Sequence, residues 1–408
     1  MKSKMKPIIH ILCLMFMLGI TFPAAASASN NVTEYRPLPS SLKVKPEPIP
    51  DFSGKPTLSL TEALDIAYKC NPGLRQAELE LDRAEILLDQ AANAAVFTET
   101  GDLIVGDTTR AFVSSYEQAN VNYKTKKKAS ESEKLSMEKE VVTAYAAAVK
   151  SYNQLQISRL TLQDFEAQNK LNMVATVQGL LSNMDLRTSK RSLQQINNSL
   201  TATEMSYEAS LATLRNLLNQ NESWEPVLTS RPTLGNYERN EMWLELSRAA
   251  DQSVLQMQAK AMLELEQIKK FWSIDGGLDD SYLNQINLNL KELDYEQAQR
   301  DTRATIEQLY QAIDILVQQI VIKEDTLAQN EQDLAIAKLK FENGLIPYRS
   351  LRTGELSLCS AELAVTKTRL ELESLRSDLA QQRANFGYLT GQLVYSRNDW
   401  TDTTTVQK

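Results

Sequence analysis

Proline placement constrains this chain more than any other feature. Of its twelve prolines, six lie between Pro37 and Pro56, and after residue 57 only Pro72, Pro226, Pro232 and Pro347 remain. Proline breaks helix interiors, so the stretches between these positions are free to form long helices. Glycines mark the same breaks, at Gly73, Gly101, Gly106, Gly179, Gly235, Gly276, Gly277 and Gly344. The intervening sequence is rich in Ala, Leu, Glu, Gln, Lys and Arg, which are good helix formers. The spacing predicts a helix over 60–95, with Thr61 as N-cap and a break at Asn71-Pro72-Gly73. A loop follows over 97–108, then a very long helix over 109–178, a turn at Gly179 and a returning helix over 183–219. After a segment holding Pro226 and Pro232 the order repeats: helix 240–271, loop 272–282, long helix 286–343, turn at Gly344, helix 348–390.

A helix over 109–178 would be roughly 100 Å long, which calls for a coiled-coil explanation. Heptads supply it. Ile306, Ile313, Ile320, Leu327, Leu334 and Phe341 recur every seven residues. Leu309 and Leu316 fill the second seam position, which Lys323, Asn330 and Ala337 then dilute. Leu351, Leu358, Val365, Leu372, Leu379 and Phe386 repeat the pattern on the returning helix, as do Leu186, Leu193, Leu200, Tyr207 and Leu214 in the first half. Such repeats supercoil left-handedly, and the short glycine turns make each pair an antiparallel hairpin. The halves are copies. The stretch from Gly179 to Leu193 aligns with that from Gly344 to Leu358 at an offset of 165, and the same offset pairs Tyr145 with Tyr310 and Ala147 with Ala312. The expected fold is all-α dominated: long antiparallel coiled-coil hairpins in two internal repeats, with little or no β.

Residues 1–28 read as a signal peptide: Lys2, Lys4 and Lys6, an apolar run from Ile8 to Ile20, and a small-residue stretch ending at Ala28. The one histidine, His10, lies inside it. An exported chain without histidine lacks Ser-His-Asp and Cys-His nucleophiles, His-ligated zinc and a histidine pH switch. We therefore expect no enzyme and no cofactor. Loss of the three lysines takes the formal charge from −8 to −8 − 3 = −11, which disfavours nucleic-acid binding. Cys70 and Cys359 read as small hydrophobic residues on helices rather than a disulfide framework. Other motifs fail on inspection. Gly101 to Thr108 has phosphate-loop glycine spacing, but Asp107 stands where the lysine is needed. Lys124, Lys126, Lys127 and Lys128 sit near Glu131 and Glu133 and read as a solvated face. Asp275, Asp279 and Asp280 lack the spacing of a calcium loop.

The stretch Leu58-Ser-Leu-Thr-Glu-Ala-Leu-Asp-Ile-Ala-Tyr-Lys-Cys-Asn-Pro-Gly-Leu74, followed by Ala77, Glu80 and Ala84, resembles the opening of the outer-membrane efflux protein (TolC-like) family. The Gly-Leu turns, coiled hairpins and duplication are similar to that family over residues 57–392. The resemblance implies a helical barrel built as a homotrimer, a passive exit conduit for efflux or type I secretion. It also implies docking to a periplasmic adaptor and an inner-membrane pump, in the outer membrane or periplasm. This chain departs from the family twice. The family inserts a pair of β-strands in each half, and a membrane-spanning strand needs ~9–11 residues. The 97–108 and 272–282 segments cannot hold two such strands, so the β-barrel is reduced or missing; only Ile286 to Leu290 alternates, and it can equally start the helix. At the hairpin tip the family often carries carboxylates six and nine positions after the second glycine. Here Ser350 and Thr353 stand there, beside Arg349 and Arg352, while Asp185 lies six after Gly179. The expected tip turns and aperture are thus Gly179, Leu180, Asp185, Gly344, Leu345, Arg349, Ser350, Arg352 and Thr353, without a carboxylate ring.

The domain reading is a signal peptide over 1–28, a Pro-rich extended leader over 29–57, a first repeat over 58–222, a linker over 223–239, a second repeat over 240–392 and a polar tail over 393–408. Two functions fit: the passive conduit, and a barrel-less coiled-coil spacer or adaptor of the cell envelope without channel activity.

Overall fold

The computed structural model describes residues 56–94, 107–234, 241–272, 278–350, 356–391 and 400–402. The expected signal peptide, the expected leader as far as residue 55, and Leu351, Arg352 and Thr353 lie outside the described residues. The described residues form eight helices and four short strands.

Helix α1 spans Leu60–Cys70. Its N-cap is Ser59, not Thr61. The Ser59 hydroxyl accepts the Glu62 N–H at 3.2 Å, and the Glu62 carboxylate accepts the Ser59 N–H at 3.0 Å. This reciprocal pair satisfies two amides that a helix start leaves open. The predicted break follows at Asn71. The Asn71 side-chain oxygen accepts the N–H groups of Gly73, at 2.7 Å, and Leu74, at 3.3 Å, and so caps helix α2, Pro72–Ala94. Pro72 takes the first helical position, where its missing N–H costs nothing.

Helix α3 runs 71 residues, Asp107–Val177, and α4 returns over Asn183–Leu217. At the turn Gly179 has φ +73°, the Leu180 N–H donates to the Ala175 carbonyl at 2.8 Å and the Gly179 N–H to that of Thr176 at 3.1 Å. This is the Schellman arrangement, in which glycine takes the left-handed position without a Cβ penalty. The second half repeats it. Gly344 has φ +70°, and the Leu345 N–H reaches the Lys340 carbonyl at 2.8 Å.

The 223–239 segment, expected as a linker, contains two strands. Strand β1, Thr57–Leu58, pairs in parallel with β2, Val227–Leu228; β3, Ser230–Pro232, pairs antiparallel with β4, Trp400–Asp402. The expected single helix over 240–271 is two, α5 over Met242–Gln252 and α6 over Val254–Trp272, parted at Ser253. The Ser253 hydroxyl accepts the Gln256 N–H at 3.3 Å, as Asn71 does for α2. Helix α7 spans Leu278–Glu342, so Ile286 to Leu290 are helical rather than a strand. Helix α8, Leu358–Thr390, starts ten residues later than expected. Pro347 and Tyr348 instead lie against the start of α8, where the Leu358 N–H donates to the Pro347 carbonyl at 3.4 Å and the Cys359 N–H to the Tyr348 carbonyl at 2.9 Å.

Helices α2 and α4 pack on α3; α6 and α8 pack between α3 and α7. The hairpin halves therefore run in the order α4, α3, α8, α7, and the opposite ends in the order α2, α3, α6, α7. The heptad residues form the seams. Ile306, Ile313, Ile320, Leu372 and Leu379 are buried, with Leu316 and Leu327 against them. Toward the second tip the seam thins, and Phe341 is exposed against Tyr348. The residues that dilute it make polar crossings: the Asn330 amide donates to Thr368 at 2.9 Å, and Lys323 meets Glu371 at 2.6 Å.

The largest core surrounds Tyr145, which is fully buried among Leu58, Leu60, Met137, Leu214 and Trp224. Its hydroxyl donates to the Leu58 carbonyl at 2.8 Å and accepts the Ser230 N–H at 3.0 Å. Its ring meets Trp400 edge-on at 5.6 Å. One side chain on α3 thus ties β1, β3 and β4 together. Its repeat mate Tyr310 is also buried, against Phe386. Cys70 is buried in the Tyr145 core, Cys359 is half-buried, and both are free thiols.

Candidate functional site: the hairpin tips and the edges of the helix layer

The tips are built by the glycine turns, and the structure separates the residues expected there. Leu180 and Leu345 project from the two turns and are exposed. Asp185 is also exposed, but it has a structural partner. Its carboxylate accepts from the Ser182 hydroxyl at 2.7 Å and N–H at 3.3 Å, and its own N–H returns to the Ser182 oxygen at 3.1 Å. Asp185 is therefore the third-position acid of the α4 capping box, where it also meets the positive end of the helix dipole.

Arg349 lies away from the tip. Its guanidinium donates to the backbone oxygen of Asp164 at 3.0 Å and ion-pairs with the same residue's carboxylate, on α3. It also donates to the Cys359 sulfur at 3.0 Å. The side chain is only 18% exposed. Arg349 thus fastens the segment before α8 to the first hairpin. Ser350 is half-buried beside it. Sequence reasoning missed Asp164, because a single aspartate on a 71-residue helix has no spacing that marks it. Near the first tip a polar crossing closes the hairpin: the Asn172 amide donates to Ser189 at 3.2 Å, and the Ser189 hydroxyl to Asn169 at 3.2 Å.

The lysine run also finds partners. Lys126 meets Glu80 on α2 at 2.6 Å, and Lys128 donates to Gln252 on α5 at 2.8 Å. The Lys126 hydrogen bond, helped by Gln76, holds the Glu80 carboxyl below the usual carboxylate range. Burial pushes the Tyr145 phenol up to about 12.

The two edges of the layer differ. Beyond its buried seam, α7 carries a second apolar stripe. Leu283, Ile286, Leu290 and Leu293, spaced as a heptad seam, are 41–57% exposed. Nearer the tip Ile315, Ile322 and Ile336, seven and fourteen residues apart, are 48–65% exposed. The opposite edge is formed by α2, exposing Leu79 and Leu87, and α4, exposing Met184 and Met205. Among the described residues no helix is long and apolar enough to cross a membrane. The connections at the other end are short: residues 95–106, twelve in number, separate α2 from α3, and residues 273–277, five in number, separate α6 from α7.

No protein-family model matches this chain, and no curated protein matches it. Solved structures do. The outer membrane protein VceC of Vibrio cholerae aligns over 82% of this chain and 96% of its own, at a TM-score of 0.55 and 14% identity. The outer-membrane channel CmeC of Campylobacter jejuni aligns over 85% and 88%, at 0.55 and 13%. The open state of the outer-membrane channel MtrE of Neisseria gonorrhoeae aligns over 82% and 89%, at 0.54 and 14%. The chain therefore has the TolC-like fold of outer-membrane efflux channels.

Proposed function

We propose that the chain is a TolC-like exit conduit, a passive, non-catalytic channel component that closes as a homotrimer. The observation that carries this reading is the pair of unlike, unpartnered edges: an apolar stripe along α7, and the exposed leucines and methionines of α2 and α4. Contacts between unlike edges run head to tail, and head-to-tail contacts make a ring when the rotation closes. The likeness of the fold to efflux channels and the opening motif point to three copies, a periplasmic adaptor and an inner-membrane pump that supplies the energy. The cell envelope, at the outer membrane or in the periplasm, is the matching location. In this reading Gly179 to Asp185 and the Gly344-Leu345 turn surround the aperture, with the Arg349–Asp164 clamp behind it.

The connections of twelve and five residues favour a second reading, a barrel-less envelope spacer. Light-scattering mass of the purified chain, with and without detergent, tests both. A trimer supports the conduit. If it needs detergent, the short connections insert in a membrane; if it forms without detergent, the tube stands on helices alone. A monomer or dimer sinks the conduit and leaves the spacer.

A further inference from the structure

A cavity of about 200 Å³ opens between α3, α4 and the strand segment that follows α4. Tyr152 and Tyr207 form its aromatic corner, with ring centroids 5.6 Å apart and planes inclined at 57°. Leu211 and Leu228, both buried, complete the apolar side. The lining carries two carboxylates, Glu208 and Glu225, and one guanidinium, Arg231.

The partners of these groups decide what the cavity can take. Arg231 is committed. One terminal nitrogen donates to the carbonyls of Leu228 at 3.2 Å and Ser230 at 3.4 Å, its Nε stands 3.7 Å from the Glu373 carboxylate, and its Cζ lies 5.7 Å from the Tyr152 ring centre. Glu208 accepts from Arg215. Glu225 has no hydrogen-bond or ion-pair partner among the described residues, and neither tyrosine hydroxyl has a hydrogen bond there. What remains unmet is one carboxylate and two phenol hydroxyls beside aromatic faces. Two carboxylates against one guanidinium leave the lining a formal −1. An anion would meet that charge unfavourably, and a hard metal ion wants six or more oxygen ligands, which the lining does not converge. An ammonium group suits both the free carboxylate and the ring faces. An apolar cavity of ~150 Å³ admits benzene, so a single-ring amine fits the space.

We infer that this cavity binds a small organic ammonium ion, its apolar body against the Tyr152–Tyr207 corner and its ammonium donating to Glu225. The site is built within one protomer and stands whether or not the chain closes into a tube.

Calorimetric titration of the full chain with phenethylammonium, 2-phenylethanol and phenylacetate tests it. A charge-assisted contact at a partly exposed carboxylate should favour the ammonium over the isosteric alcohol about threefold to tenfold, with phenylacetate weakest. Glu225→Gln, at an exposed position, should abolish that preference without moving the melting curve. Tyr207→Leu should weaken ammonium and alcohol alike. Absence of saturable ammonium binding, equal affinity for ammonium and alcohol, tightest binding of phenylacetate, or an unchanged preference in Glu225→Gln would each overturn the assignment. Should Tyr207→Leu unfold, the Glu225 comparison decides alone.

Discussion

Tyr145→Phe is the most revealing single change, because it deletes one oxygen and no packing volume. That oxygen accepts the Ser230 N–H and donates to the Leu58 carbonyl in a fully buried setting. Without it the Ser230 N–H loses its partner, while the Leu58 carbonyl keeps the Thr229 N–H at 3.1 Å. Leaving a buried polar group unsatisfied costs about 1–3 kcal/mol, so we expect the variant to be destabilised by about that much in denaturant titration. The effect should depend on pH in a defined direction. Burial raises the phenol to about 12, above the value near 10 of an unfolded chain. The neutral phenol therefore contributes stability that is fully present below pH ~10 and is lost as pH rises from there through 12. Wild type and variant should differ by a constant amount at neutral and mildly alkaline pH and converge above pH ~10. A Tyr145→Phe protein within about 0.5 kcal/mol of wild type at pH 7 would refute the idea that this hydroxyl ties β1 and β3 to α3.

Other perturbations separate tip, seam and edge. Gly179→Ala and Gly344→Ala meet nothing within 4 Å, so each should cost only the left-handed backbone penalty, about 1–2 kcal/mol by thermal unfolding; a larger loss would mean that the turns are packed. Leu358→Asp puts a charge at the first residue of α8, against Ala337 and Ala361, and should cost several kcal/mol; Leu379→Asp, deeper in the seam, should cost more, and the reverse order would contradict the packing. Asp185→Ala removes a capping acid and should cost about 1 kcal/mol while leaving ion selectivity of reconstituted channels unchanged; loss of cation preference would instead make it an aperture group. Ile322→Glu lies on the exposed stripe of α7 and should leave helix content intact while shifting the light-scattering mass to that of the protomer; an unshifted trimer would exclude this stripe as the subunit contact.

Legibility followed the physics of each feature. Helix existence and the two tips could be read because glycine and proline act locally, and the structure puts Gly179 and Gly344 in the left-handed region where they were expected to stop the helices. The buried seam could be read because Ile306, Ile313 and Ile320 repeat at seven. Three boundaries misled. Ser59 precedes Thr61 in the same stretch, and only the position of Glu62 relative to Ser59 decides between them. Ser253 breaks a helix without glycine or proline, because its hydroxyl caps the next one. The late start of α8 rests on backbone bonds to Pro347 and Tyr348. The strand pairs were hidden for another reason. They are two or three residues long, join segments about 170 residues apart, and depend on the Tyr145 hydroxyl rather than on alternation. The Arg349–Asp164 clamp joins the two repeats, so no periodicity within one repeat could announce it.

The two kinds of contact in this fold imply different jobs. Within the second hairpin, α7 and α8 meet through isoleucines and leucines in register, and such a seam resists sliding because each knob sits in a fitted hole. Between the repeats, the α3–α8 contact is more polar. Lys150 pairs with Asp378 at 2.7 Å, Lys139 stands 4.5 Å over the Tyr388 ring centre, and the Arg349 clamp lies nearest the tips. Exposed ion pairs contribute little and can be exchanged for water at small cost. Relative displacement of the second hairpin should therefore occur along α3–α8, with each hairpin intact. Asp164→Asn tests this by leaving Arg349 a neutral acceptor. Hydrogen exchange should quicken in the segment around Arg349 and at the start of α8, while the amides around Ile313 and Leu372 keep their protection. Equal loss of protection at both places would show that the hairpin does not move as a unit.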